Sequence, residues 1–320
     1  MATVRIISRD NGVGLTRDMQ LVAGLMRDAG HAVEVMGYGG HQLANRWRET
    51  AAWARRGVSG PVDVQVFLER VYKRCLPLAR RNVLVPNPEW FSDKWLPLLP
   101  AFDRVLCKTR HAVDVFARLG CETRFTGFTS DDLYDPGIAK ERAFFHLAGR
   151  SVAKGTRAVI AAWERHPEWP RLTVVQHPRM VERRSVAANV DHRVGYVDAA
   201  ELRRLQNRHR FHLCPSETEG FGHYLVEAMG VGAVLLATDG APMNEMVDAG
   251  TGLLVPAVRR ERRGLVEHFL VDEAGIEDAV GRALALDEAD CRRIGDAARA
   301  AFLERDRRFR AGFVDACLDR

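Results

Sequence analysis

Two glutamates frame the densest run of chemistry-bearing residues in this chain. Glu219 and Glu227 lie within Pro215-Ser216-Glu217-Thr218-Glu219-Gly220-Phe221-Gly222-His223-Tyr224-Leu225-Val226-Glu227-Ala228-Met229-Gly230. The run Phe211-His212-Leu213 before this segment reads as a strand, and the spacing after it as a helix opening at about His223. Gly220 and Gly222, flanking Phe221, let the backbone approach a ligand closely, and the first helical turn at His223 and Tyr224 offers free N–H groups to an anion. Glu219 precedes the helix, where a carboxylate can meet a hydroxyl group. Glu227 lies inside it, where it can accept hydrogen bonds from two vicinal hydroxyls. Upstream, Arg150 and Lys154 follow another predicted strand, 144–148, and supply fixed positive charge.

Four weaker features accompany this run. Asn11-Gly12-Val13-Gly14 joins a first strand to a helix, so its amides could meet a phosphate or a second substrate; a tight turn explains it equally. Arg17 stands where a GxGxxG fingerprint needs its third glycine, which disfavours a dinucleotide-binding dehydrogenase. Val194-Gly195-Tyr196-Val197 is a strand exit, and His177 lies in Val175-Gln176-His177-Pro178, where a lone histidine is more often structural than functional. Asn87 and Glu89 sit in the proline-framed Val85-Pro86-Asn87-Pro88-Glu89-Trp90-Phe91.

The run from Glu219 to Glu227 resembles the E-x7-E motif of retaining GT-B glycosyltransferases, especially the GT4 family, glycosyl transferases group 1. Leu147-Ala148-Gly149-Arg150 with Lys154-Gly155 fits the same pattern. So do Val234-Leu235-Leu236-Ala237-Thr238, Gly240, Glu245 and Thr251-Gly252-Leu253-Leu254-Val255-Pro256. The resemblance covers the second half of the chain well and the first half in outline. It implies a metal-independent transfer of a sugar, hexosyltransferase-like, from a UDP- or GDP-sugar, with no cofactor. Glu219 would orient the donor sugar, Arg150 and Lys154 would neutralise the diphosphate, and Glu227 would hold the ribose. Gly12, Val13 and Gly14 would approach the distal phosphate or the acceptor, and the backbone of Gly195, Tyr196 and Val197 would face the base. Two departures stand out. Many members carry a histidine after the fourth strand, where Asn87 or Glu89 stands here, and His177 replaces part of a glycine-rich turn. Asn11, Asn87, Glu89 and His177 are therefore the candidates for acceptor or sugar contacts.

These residues must be positioned by strands and helices that alternate. Short β-branched runs at 4–8, 32–36, 62–68, 82–85, 104–107 and 123–126 are interleaved with helical stretches at 16–29 and 112–119. The pattern restarts with strands at 144–148, 172–175, 192–194, 211–213, 233–237 and 252–255, and with a helix at 155–165. Ser130-Asp131-Asp132-Leu133-Tyr134-Asp135-Pro136-Gly137 reads as a linker. The expectation is an α/β protein of GT-B fold, two Rossmann-like doubly wound domains facing a cleft. Residues 1–136 would bind acceptor, and residues 137–320 the nucleotide-sugar. The charged helical pattern from Glu288 onward would pack back on the first domain.

Bulk properties bound the alternatives. At 320 residues, 47% hydrophobic and 28% charged, the composition is globular. No long apolar run or signal peptide is seen, so a cytoplasmic protein is expected, and a periplasmic binding protein fits poorly. The six cysteines show no metal-ligand spacing, no DxD motif ends a strand, and no metal is expected. The net charge of +5 suits anionic ligands without requiring nucleic acid. A GT-B sugar-nucleotide epimerase and a transferase acting on a modified DNA base remain the alternative functions. Arg46-Trp47-Arg48 with Trp53, Arg55 and Arg56 suits a phospholipid surface or polyanionic acceptor, yet a surface helix with Trp47 packed inward is the preferred expectation. Arg259, Arg260, Arg262 and Arg263 are expected in a solvated loop.

Overall fold

Short β-branched runs become parallel strands and the longer amphipathic stretches become the helices that cover them. The computed structural model describes residues 1–12 and 14–319. Contacts divide the chain into Met1–Phe128 with the residues from Arg307 on, and Thr129–Asp306.

The first unit contains β1 (Thr3–Arg9), α1 (Gly14–Asp28), β2 (Ala32–Tyr38), α2 (Gln42–Ser59), β3 (Val62–Leu68), β4 (Ala79–Val85), β5 (Arg104–Cys107), α3 (Arg110–Arg118) and β6 (Thr123–Phe125). Its six strands lie in the order β2-β1-β3-β4-β5-β6, all parallel. The central strands are near-continuous apolar runs because both faces are covered: Ile6, Val66, Phe67, Leu84 and Leu106 are all buried. Gly30 ends α1 at φ +81, the left-handed C-terminal position a side chain would strain.

The second unit contains β7 (Glu141–Gly149), α4 (Thr156–Arg165), β8 (Leu172–Gln176), β9 (Val190–Val194), α5 (Ala199–Arg208), β10 (His209–Cys214), α6 (His223–Gly230), β11 (Val234–Thr238) and β12 (Gly252–Val255). A hairpin of β13 (Arg259–Arg263) and β14 (Val266–Leu270) follows, then α7 (Glu273–Ala285) and α8 (Glu288–Leu318). Residues of α8 from Arg307 on are counted with the first unit. The main sheet runs β12-β11-β10-β7-β8-β9, parallel throughout. Phe144 stacks on Phe211 and meets Trp163 edge-on, in a core continued by Leu172, Val234 and Ile276. The architecture is that of two doubly wound α/β units.

Two expectations fail. Arg259, Arg260, Arg262 and Arg263 are exposed as expected, but they do not form a loop. They make a strand antiparallel to β14, because Phe269 anchors the hairpin against Gly240, where a Cβ would fall 2.2 Å from the ring. Nor does Trp47 pack inward. The inward face of α2 is taken by Ala52, by Glu49 bonded to Tyr38 and paired with Arg74, and by Trp53, whose indole donates to the Arg74 carbonyl. Trp47 stands 74% exposed. No described helix is long and apolar enough to cross a membrane.

Candidate active site

In the second sheet the strand order reverses between β7 and β10. Helices leaving two such strands diverge to opposite faces, and the crevice at the C-terminal strand ends is where ligands bind in open α/β sheets. The chemistry-bearing residues fall at this edge. Arg150 and Lys154 follow β7, the run from Pro215 to Gly222 follows β10, His177 follows β8, and Gly195-Tyr196-Val197 follow β9.

The two loops at the switch point are fastened together. The Glu217 amide donates to the Ala153 carbonyl at 2.9 Å. Gly155 caps α4 at φ +66, and a Cβ there would sit 2.5 Å from the Pro215 carbonyl oxygen. Only glycine permits both that conformation and that approach. Across this seam Lys154 Nζ lies 2.5 Å from Glu219 Oε1, with both side chains about 15% exposed. Such a charge-assisted bond is short and orienting.

Glu219 Oε1 also accepts from the Ser216 hydroxyl at 2.5 Å, and Ser216 in turn bonds the Tyr224 phenol. Burial above all, with the Glu219 carboxylate nearby, pushes the Tyr224 phenol well above its ordinary value, so it stays protonated and can donate. The Lys154 ammonium lies 3.6 Å from the Tyr224 ring centroid. Glu219 is thus held from two sides, with Gly222 at φ +82 turning the chain into α6 beside it. Phe221 is buried and meets His223 edge-on, and His223 Nδ1 is 2.5 Å from Ser130 Oγ.

Glu227 is buried on α6, and its Oε2 accepts from Gln206 Nε2 at 2.9 Å. Arg150 is exposed and has no hydrogen bond or ion pair among the described residues. His177 caps a short turn by accepting from the Arg179 amide, while its own amide bonds the Gly149 carbonyl. Gly195 has φ +145 and donates to the Gln176 carbonyl. Tyr196 is exposed, and Val197 packs against Phe145, Val175 and Leu205. Below the seam, His146 bridges the Leu213 carbonyl and the Thr156 hydroxyl at 2.8 and 2.9 Å. Burial lowers it to about 4, so it is a neutral structural bridge.

The remaining candidates lie in the first unit, whose strand order reverses between β1 and β3. Gly12 has φ +69 and donates to Thr16 Oγ1, which donates to Asp10 Oδ1; Asn11 Oδ1 is 3.5 Å from the same hydroxyl. Gly14 opens α1, and Val13 lies outside the described residues. After β4, Asn87 Nδ2 donates to Glu69 Oε2 at 3.0 Å, while Asn87 Oδ1 is buried without a partner. Glu89 lies in the short turn that follows. Glu69, at the end of β3, takes φ +67, a strained conformation for a residue with a side chain.

Sequence reasoning passed over Ser216, Glu69 and Gln206. A hydroxyl three residues before Glu219 was a usable signal for Ser216. Nothing in the sequence pointed to the other two.

The family model of glycosyl transferases group 1 matches residues 144–268, a stretch that contains the whole switch-point seam. No curated protein matches the sequence. Among solved structures, sucrose-phosphate synthase from Thermosynechococcus elongatus superposes with a TM-score of 0.75 at 15% identity, covering 99% of this chain and 98% of that one. Anabaena HepE in complex with UDP and glucose gives 0.72 at 14% identity, with 99% of each chain covered. Trehalose-6-phosphate synthase, studied for glycosyl transfer with retention, gives 0.68 at 11% identity, with 98% of each covered. The fold is that of GT-B glycosyltransferases, and over residues 144–268 the chain is similar to glycosyl transferases group 1.

Proposed function

We propose that the chain is a retaining, metal-independent glycosyltransferase of the GT4 family using a UDP-sugar, with GDP-sugars as the next candidates. The observation that carries this reading is the Lys154–Glu219 pair at the β7/β10 switch point. It sets a cation for phosphate beside a carboxylate for sugar. UDP is favoured because it is bound in the similar HepE structure. Retention is favoured by the likeness to trehalose-6-phosphate synthase.

In this reading Arg150 and Lys154 face the diphosphate, whose negative charge grows as the sugar leaves. Fixed cations there lower the barrier without a metal ion. The first-turn amides of α6 add to the same field. Glu219, held by Lys154 and Ser216, acts as a hydrogen-bond acceptor for the donor sugar rather than as a nucleophile. Glu227 takes the ribose hydroxyls, the backbone of Gly195-Tyr196-Val197 faces the base, and His177 lies toward the sugar. In the first unit, Gly12 and Gly14 are assigned to a phosphate or the acceptor, and Asn11, Asn87 and Glu89 to the acceptor or sugar. The acceptor hydroxyl attacks the anomeric carbon on the face the diphosphate leaves, and the leaving phosphate oxygen takes the hydroxyl proton. One C–O bond forms as another breaks, and retention follows.

The test is proton NMR of products from a panel of UDP-, GDP- and ADP-sugars with candidate acceptors, in the presence and absence of EDTA. Axial donor giving axial product in EDTA supports the proposal. An inverted product, or activity restored only by Mg²⁺ or Mn²⁺, contradicts it. Conversion of the donor to its epimer with no transfer would make the protein an epimerase.

A further inference from the structure

The outer face of α2 is apolar, and its surroundings are basic. Leu43, Trp47, Ala51, Ala54 and Val58 recur at helical spacing on one stripe. Leu43 is 69% and Val58 89% exposed, and Ala51 and Ala54 are exposed with them. A surface helix of a globular protein normally turns such a stripe inward. Here the inward face is occupied instead by buried Ala52, by Glu49 bonded to Tyr38 and by Trp53 bonded to the Arg74 carbonyl, so the outward stripe is no accident of a frayed element. The charges are also sorted. Arg46 and Arg48 flank the stripe on opposite sides, and neither is ion-paired among the described residues; Arg48 donates only to Asn45. The sole acid of the helix, Glu49, is turned away and paired with Arg74.

From this arrangement we infer that α2 lies in the plane of an anionic phospholipid surface. Its apolar stripe enters the headgroup boundary, and Arg46 and Arg48 reach lipid phosphates. An indole at Trp47, between two arginines, suits that boundary, where an amphipathic ring has both an apolar and a wet side. The charge decides for an anionic bilayer over a second copy of the chain, since apposing two such helices would bring four unpaired arginines together. The inference is independent of the sugar-transfer reading and survives its failure.

Co-sedimentation with vesicles tests it, comparing phosphatidylcholine alone with an equal mixture of phosphatidylcholine and phosphatidylglycerol. Binding to the mixed vesicles at least tenfold tighter than to the neutral ones is expected. The double variant Leu43→Ser/Trp47→Ser should lose at least tenfold in partitioning, and Arg46→Glu/Arg48→Glu should lose as much on mixed vesicles only. Both variants should keep the wild-type melting temperature, since neither touches the inward face. No vesicle binding, equal binding to both compositions, or a Leu43→Ser/Trp47→Ser variant that partitions like wild type would overturn the proposal. So would a concentration-dependent dimer, seen by light scattering, that the same variant abolishes.

Discussion

Lys154 Nζ and Glu219 Oε1 lie 2.5 Å apart although 65 residues separate them in the chain. They meet because β7 and β10 are hydrogen-bonded neighbours at the point where the sheet order reverses. The cation is therefore shared with a carboxylate, and a phosphate anion at this edge would compete with that carboxylate for it.

Lys154→Met removes one of two cations assigned to the diphosphate. UDP affinity should weaken by about 1.5–3 kcal/mol, the range for a charged hydrogen bond, and kcat should fall by roughly 10²–10³. Calorimetry with UDP and steady-state rates measure the two effects. Unchanged UDP affinity in a folded variant would place the diphosphate elsewhere.

Glu227 and Gln206 are expected to act as a unit. Glu227→Ala should weaken UDP binding by about 1.5–3 kcal/mol. It should also lower the melting temperature, because Gln206, whose Oε1 is already buried without a partner, then loses its Nε2 bond as well. Gln206→Met, which keeps the Glu227 carboxylate but frees its orientation, should raise the KM for donor more than it lowers kcat. A Gln206→Met enzyme with wild-type KM would mean that the bond serves folding alone.

Much of this organisation is legible in the sequence, for identifiable reasons. Strands such as β3 and β5 are recognisable to the residue because each is a short valine-containing run between breaks, Gly60-Pro61 and Glu69 for β3, Asp103 and Lys108 for β5. The loop–helix junction at Gly222 and His223 is legible because glycine marks the left-handed turn. What spacing cannot supply is adjacency. The Lys154–Glu219 pair, the Tyr224–Ser216–Glu219 relay and the Gln206–Glu227 bond all depend on which strands and helices are neighbours. The hairpin β13–β14 escaped notice because its arginine-rich first strand has almost no apolar alternation, and its anchor, Phe269, lies on the other strand. Trp47 misled for the opposite reason: burial is the usual fate of an indole, and the pattern of α2 does not say which face is inward.

The histidine bridge beneath the seam makes stability depend on pH. His146 titrates at about 4 in the folded protein against its ordinary 6.5, because burial opposes its charged form. Between those values the unfolded chain binds the proton and the folded chain does not. The contribution is therefore complete above pH 6.5 and is lost as pH falls toward 4, by roughly 3 kcal/mol. Urea unfolding at pH 7 and pH 4 should show His146→Gln losing less stability than wild type by that amount. Equal losses would show that His146 is protonated in place.

The central claim is that Glu219 acts on the sugar in the transition state while Lys154 and Glu227 hold the nucleotide. Glu219→Gln keeps the size and one hydrogen-bond acceptor, removes the charge, and releases Lys154 from its partner. Measured side by side, kcat for transfer should fall by about 10²–10³, while UDP affinity stays level or rises a few-fold as the freed cation turns to the diphosphate. Melting curves establish that the variant is folded. A folded Glu219→Gln enzyme that turns over at the wild-type rate, or one that loses UDP affinity in step with kcat, would contradict the assignment.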